Sequence, residues 1–492
     1  MHPQVEFPEK ERFTRLFGED VYAVGGYVRD SLLGRLKKEG IDLLIRRHPL
    51  EKIVKMLASL GKVDLVGKSF GVIKFTVQGR TFDIALPRTD TLREAQIRGH
   101  KDFLIAADPE LPLEEDLRRR DFRCNSMAQR LSDGKIFDPF DGRADIEQKI
   151  LRMTNPETFA EDPLRILRAA RFASVLRFSL DPAVYKAAKE IDVTGLSVER
   201  VNEELFRILL ESEIPSIGLE ELFVLDTLRQ LFPPLYRLTL TIQDSVFHPE
   251  KDHYGHHTVW EHTKITVDQA KRLTAHSDLD ESRKLALLLA ALYHDVGKVV
   301  TTQWEFKNGR MVIITHGHDI TGGMITEDVL DRFKVFSWRG YDLRQTVLTL
   351  VKCHHRASEL WQNRALLTKK AFTRLNADIR GEIELLVFLD TADRAGRSKE
   401  PIHTLDEQGR WLLDKFAEMN VSKETLKPLV LGRDLIKKGI APGPEMGRIL
   451  DRLYQMQIDN EFETKNEGLE LADRIIRESQ KRKPAPIRKQ KK

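Results

Sequence analysis

Cysteine is scarce in this chain of 492 residues, with Cys124 and Cys353 the only two. A disulfide scaffold is thereby excluded, and a reducing compartment is the expected setting. Long apolar runs are missing as well. The longest, 285–293, is far shorter than the roughly 20 residues that cross a bilayer, so no transmembrane helix and no membrane partner are expected. The start, Met1-His2-Pro3-Gln4 followed by charge at 9–12, has no apolar signal core, and the expected location is the cytoplasm. Internal repeats of fixed period are absent. Charge of one sign is not in excess either: 80 Lys and Arg face 76 Asp and Glu, a net +4, so total charge gives no argument for nucleic acid. Only the end is strongly basic. Segment 481–492, KRKPAPIRKQKK, suits a disordered arm drawn to phosphates, or equally a solubilising tail.

What is present is enough chain for three or four domains. Short Val-, Ile- and Phe-rich stretches at 21–24, 41–45, 63–66, 72–77 and 82–86 read as strands. They predict an α/β region over 1–150 with a mixed sheet. Helical spacing takes over at 151–245, where 163–172 places Leu164 and Leu167 on one face and Arg168 and Arg171 on another. A His-rich stretch at 248–262 opens a third region, 246–400, expected to be all-α. A helical segment, 401–478, and the basic tail, 479–492, complete the expected division.

Val24-Gly25-Gly26-Tyr27-Val28-Arg29-Asp30 reads as a strand entering paired glycines and then a helix carrying Arg29. Without Cβ atoms the glycines let backbone N–H groups approach a polyphosphate, and a guanidinium adds a forked donor. A tight turn would look the same. Asp42 opens the next strand and Asp83 interrupts a later apolar one. Carboxylates in such places are costly unless bonded or holding a cation, so the two could hold Mg²⁺ against a triphosphate for in-line attack by an RNA 3′-hydroxyl. Two further clusters follow: Arg118-Arg119-Arg120-Asp121-Phe122-Arg123-Cys124-Asn125, and Glu161-Asp162-Pro163-Leu164-Arg165-Ile166-Leu167-Arg168-Ala169-Ala170-Arg171.

In this order and spacing the three clusters resemble the class II tRNA nucleotidyltransferase and bacterial poly(A) polymerase family, which includes the CCA-adding enzymes; the match is dense over 20–180. The resemblance implies an N-terminal nucleotidyltransferase palm and a helical neck. It implies triphosphate contacts at Gly25, Gly26 and Arg29, catalytic metal carboxylates at Asp42 and Asp83, and nucleotide and ribose contacts at Arg119, Arg120 and Asp121. It also implies a base-reading pair at Asp162 and Arg165, with Arg168 and Arg171 on the same helix. A carboxylate and a guanidinium one turn apart offer acceptor and donor to the edge of C or A without a template. The implied partners are CTP, ATP and the 3′ end of tRNA or another RNA. One departure stands out. The family carries Asp-x-Asp where this chain has Gly40-Ile41-Asp42, and Glu39, swung in by a bulge at Gly40, is the expected substitute. Poly(A) addition, and an RNA-binding protein with a decayed polymerase site, stay open as alternatives.

A second constellation runs His262, His294-Asp295, His316 and His318, His354-His355, and Asp393. This order resembles the HD phosphohydrolase superfamily, found behind the nucleotidyltransferase in some bacterial CCA-adding enzymes. It implies His262, His294, Asp295 and Asp393 around one divalent ion, with His318 and His354 offered to a second. Imidazole and carboxylate suit a transition metal such as Mn²⁺, Ni²⁺ or Co²⁺. The segment 426–444 resembles the family's C-terminal helices that grip tRNA.

Overall fold

The computed structural model describes residues 7–35, 40–66, 72–92, 103–419, 427–459 and 461–481. Glu39 and the basic run 482–492 lie outside them. The chain divides into two compact units, Met1–Arg237 and Leu238–Lys492.

The first unit is built on a seven-stranded mixed sheet in the order β3-β4-β5-β2-β1-β8-β9. Its strands are β1 (Val21–Val24), β2 (Ile41–Ile45), β3 (Lys62–Val66), β4 (Val72–Val77), β5 (Arg80–Ala85), β8 (Ala128–Arg130) and β9 (Ile136–Phe137). A separate ribbon pairs β6 (Arg88–Leu92) with β7 (Phe103–Ala107), and a small parallel pair joins β10 (Ile150–Leu151) to β11 (Ser179–Leu180). All five strands anticipated from composition form. Of those not anticipated, β8, β9, β10 and β11 are two or three residues long, too short for alternation to register, whereas β6 and β7 are five residues each and pair with one another apart from the main sheet.

β2 and β5 run parallel and place Asp42 opposite Asp83, while every other neighbour in the main sheet is antiparallel. Beneath β5, Phe82 meets Phe13 with centroids 5.1 Å apart, and Phe13 meets Phe75 at 5.8 Å. Each fully buried ring is worth ~1.5–3 kcal/mol. The opposite face packs Tyr22, Val24 and Leu44 on Leu113 and Leu117. The aspartates therefore sit on strands clamped from both sides.

The helix Leu164–Leu176 follows Pro163 and ends at Arg177 in the left-handed region. It packs on helices Val198–Glu211 and Pro215–Val224. The sequence predicts an amphipathic helix, yet nearly all of it is buried, Arg165 and Arg171 included. Its charged face is turned into a cleft and not into solvent.

The second unit is helical, with one antiparallel hairpin, β12 (Gln303–Lys307) and β13 (Arg310–Ile314). Thr258 caps helix Val259–Ala275 by accepting from the Glu261 N–H, and Asp280 caps helix Glu281–Tyr293 by accepting from that of Arg283. Leu285 through Tyr293 are buried on every side, because helices Val259–Ala275, Leu343–Cys353 and Ile383–Ala395 surround them. This apolar rod delivers His294 and Asp295 to the interior. Farther on, Leu435, Ile449, Leu453 and Ala472 form a separate small core among helices Gly432–Lys437, Pro444–Ile458 and Lys465–Lys481. Among the described residues no helix is long and apolar enough to cross a membrane.

Candidate active sites

In the first unit, the end of β1, the glycine turn, β2, the arginine cluster and helix Leu164–Leu176 enclose a cleft of about 500 Å³. Nine arginines and five acidic residues line it, a surplus of positive charge suited to a polyphosphate. Gly25 has φ +67°, and a Cβ there would lie 2.7 Å from Arg120 Nη1. Any side chain at that position would push the guanidinium out of the cleft.

Arg29 is buried and donates from Nη1 to Asn125 Oδ1 at 2.6 Å and from Nε to Asp30 Oδ1 at 2.8 Å. Asp42 and Asp83 share a face of the sheet through their register. The surrounding protein raises the Asp42 carboxyl above its ordinary value; Arg120 opposes this, and Asp83 adds to it. Asp83 has Lys74 Nζ 4.0 Å away and leaves Oδ1 buried without a hydrogen bond. Two neighbouring carboxylates with an orphaned oxygen fit a divalent cation. Gly40 has φ +74° with open space around it and adds no third carboxylate.

The remaining cleft residues hold one another. Asp116, fully buried, accepts from Arg119 Nε at 3.0 Å and lies 3.5 Å from Arg120 Nη2. Asp121 accepts from Asn125 Nδ2 (3.1 Å), Arg168 Nε (2.7 Å) and the Phe122 N–H (2.8 Å). Burial pushes its pKa upward, but Arg168 and these hydrogen bonds prevail and hold it at about 2. The Arg165 N–H donates to the Asp162 carbonyl at 3.0 Å, while their side chains have partners elsewhere. Asp162 accepts two bonds from Arg200, at 3.0 and 2.9 Å, while Arg165 donates to Thr158 O (2.8 Å) and Arg119 O (2.6 Å). Arg171 lies over Phe172 and donates to Glu204 at 2.5 Å.

All ten nucleotide-contact residues expected from the sequence, with Asp42, thus line or border one cleft. Asn125 stands inside a motif read for its neighbours. Glu204 and Arg200 come from a helix with no motif of its own, and no sequence signal pointed to them.

The second unit brings its six expected residues into one buried cluster. His262 Nε2 lies 2.9 Å from Asp393 Oδ1 and 3.8 Å from Asp295 Oδ2, and His294 Nε2 lies 3.2 Å from Asp295 Oδ2. His318 Nε2 is 3.4 Å from Asp295 Oδ1, and the His354 ring stands 5.5 Å from that of His294. His316 is exposed. His355 joins the cluster beyond expectation, its Nε2 2.9 Å from that of His318.

Three histidines share one device. His294, His318 and His354 each donate Nδ1–H to the carbonyl three residues earlier, of Ala291 (2.8 Å), Thr315 (2.7 Å) and Val351 (2.6 Å). That tautomer leaves each Nε2 as a lone pair facing inward. His294 and His354 are fully buried, and their Nε2 atoms make no hydrogen bond. Orphaned imidazole nitrogens beside two carboxylates fit a divalent metal. Burial drives the His354 pKa well below its ordinary value, aided by His355 and His294. Burial disfavours the charge on Asp295, yet Lys298, at 2.6 Å, and His294 hold its pKa well below the carboxylate range.

Residues 21–152 match the Poly A polymerase head domain and residues 259–394 match the HD domain. The class is therefore a polymerase-type head carried on the same chain as an HD domain. The chain is 33% identical over 388 residues to the Multifunctional CCA protein of Pasteurella multocida (strain Pm70), covering 77% of this chain and 84% of that protein. It is 30% identical over 442 residues to that of Xanthomonas oryzae pv. oryzae (strain MAFF 311018), covering 88% and 96%. It belongs to the multifunctional CCA protein family. The fold is similar to that of the Bacillus stearothermophilus CCA-adding enzyme in complex with CTP, with a TM-score of 0.57 and 22% identity over 97% of this chain and 100% of that one.

Proposed function

We propose that the first unit transfers C and A from CTP and ATP to the 3′ end of tRNA without a template, and that the HD centre hydrolyses phosphate esters of RNA ends or nucleotides. The observation that carries the first reading is the cleft itself, where a surplus of arginines lines the same space as Asp42, whose register partner on the neighbouring strand is Asp83. Arg29 and Arg120 would neutralise the triphosphate, and Gly25 and Gly26 would let it approach the backbone. Asp42 and Asp83 would hold Mg²⁺, which supplies charge stabilisation at the reacting phosphate when bound. The RNA 3′-oxygen bonds to the α-phosphorus in line as the bond to pyrophosphate breaks, its proton leaving to solvent. Asp162 and Arg165 would meet the base edge after exchanging their present partners. Residues 1–150 would serve as head and 151–245 as neck, while 401–478 would contact the RNA.

In the second unit His262, His294, Asp295 and Asp393 would hold one ion, with His318 and His354 available to another. A transition metal such as Mn²⁺, Ni²⁺ or Co²⁺ would activate water for attack on phosphate. One observation favours a rival: Gly40, in place of a metal carboxylate, suits a decayed head on an RNA-binding hydrolase. Incubating the protein with Mg²⁺, tRNA shortened at its 3′ end and each nucleotide in turn separates these readings. Short, defined extension with CTP and ATP is expected. An unlimited ladder with ATP alone would make it a poly(A) polymerase, and no extension would establish the decayed head.

A further inference from the structure

The fourth buried histidine of the HD centre is oriented differently from the others. His262 has no carbonyl partner at Nδ1; that buried atom makes no well-aligned hydrogen bond, and the group nearest it in charge and distance is Glu250 Oε1, 3.1 Å away. Glu250 belongs to the His-rich segment preceding helix Val259–Ala275, which none of the roles assigned so far explains. Its side chain is 1% exposed, so the protein accepts the cost of burying a carboxylate there.

The loop around Glu250 is held in place. His257 Nδ1 contacts the carbonyls of His248 (2.8 Å) and Glu250 (3.0 Å), fixing the backbone. His248 Nδ1 lies 3.0 Å from Glu250 Oε1, and Gln243 Nε2 donates to the same oxygen at 2.9 Å. Gln243 Oε1 in turn lies 3.5 Å from Lys298 Nζ, which pairs with Asp295 at 2.6 Å. A ring of contacts thus leaves His262, passes through Glu250, Gln243 and Lys298, and returns to Asp295, whose Oδ2 is 3.8 Å from His262 Nε2.

We propose that Glu250 is the positioning carboxylate of the HD metal centre, orienting His262 so that Nε2 faces the ion. The inference rests on the HD reading. A carboxylate behind a metal-binding imidazole fixes its tautomer and raises its basicity, and loss of such a partner costs 10–100-fold in metal affinity as an order of magnitude. His262 needs this device because its Nδ1 has no backbone carbonyl to bond, unlike those of His294, His318 and His354. His248 shares the same oxygen and steadies Glu250 in turn.

The test is equilibrium binding of Mn²⁺ to the full chain, measured by competition with a chromophoric chelator, for wild type, Glu250→Gln and Glu250→Ala. Folding is checked by circular dichroism, and the isosteric Glu250→Gln carries the test should Glu250→Ala unfold. Affinity is expected to fall about tenfold in Glu250→Gln and towards a hundredfold in Glu250→Ala, with the number of ions unchanged. In metal-free protein, ¹⁵N spectra should show a protected His262 Nδ1–H in wild type that is lost in Glu250→Ala. Wild-type affinity in both variants would overturn the proposal. Loss of one whole ion, with any other bound as before, would make Glu250 a ligand and overturn it differently. A wild type that binds no divalent ion would overturn the HD reading and the inference together.

Discussion

The two sites of this chain satisfy their polar groups in opposite ways. In the first unit the cleft is open and its charges are partnered by one another: Arg29 by Asp30 and Asn125, Arg168 by Asp121, Arg171 by Glu204, Asp162 by Arg200. In the second unit His294, His318 and His354 are anchored at Nδ1, while Nε2 of His294 and His354 is left buried and unbonded. The contrast reflects the lifetimes of the ligands each site would take. A substrate that comes and goes is served by charges that can exchange partners, since an empty cleft must still be stable. A resident ion is served by atoms that have no other partner, because their burial cost is repaid only when it binds.

The strongest challenge to this contrast is Asp42→Ala. Removing a carboxylate that holds a catalytic ion forfeits several kcal/mol, so nucleotide addition is expected to drop about a thousandfold or more. Single-turnover extension of a shortened tRNA measures it, and robust addition by the variant would end the metal reading of the cleft. Next is the double variant His294→Ala with Asp295→Ala. It should abolish transition-metal-dependent phosphoester hydrolysis and leave nucleotide addition intact, with both activities assayed on one preparation; a parallel loss of addition would show that the sites are not separable.

Arg165→Ala sharpens the idea of exchangeable partners. If Arg165 leaves Thr158 O and Arg119 O to meet a base edge, CTP and ATP discrimination should weaken by about 1–3 kcal/mol, seen in the ratio of kcat/KM for the two nucleotides. Reduced stability with an unchanged ratio would make Arg165 a tie between helix and loop. The smallest effect concerns Asp121. Its pKa of about 2 lies below the ordinary 3.8. The stabilisation is therefore complete above pH 4, amounts to about 2 kcal/mol there, and is lost as pH falls through 2. Asp121→Asn should unfold the first unit more easily at neutral pH, with the gap to wild type closing between pH 4 and 2 in urea titrations. A pH-independent gap would assign the loss to packing.

How far the sequence could be read depended on the length and locality of each signal. β1, β2, β4 and β5 were legible because four to six consecutive apolar or alternating residues leave a pattern. β8 and β9 were not, since two or three residues carry none. Helix Leu164–Leu176 was legible as a helix, but not as a buried one; three charged side chains on it argued for solvent until the cleft gave them somewhere to point. The HD histidines could be picked out by order and spacing, and His318 and His354, favoured over their neighbours, are buried in the cluster, while His355 was passed over because adjacent histidines look alike in one dimension.

By itself the sequence determined the succession of elements, the glycine turn before Arg29, the aspartates at fixed places in their strands and the order of histidines and aspartates, all consequences of interactions within a few residues of chain. The tertiary structure alone decided which charges meet. Arg171 finds Glu204 33 residues away, His262 finds Asp393 131 residues away, and the Asp162 carboxylate finds Arg200 38 residues away. Backbone sterics and apolar periodicity act locally and are written along the chain, whereas a buried charge takes whichever partner the packing of distant helices brings within about 3 Å, and that choice is made only once the chain has folded.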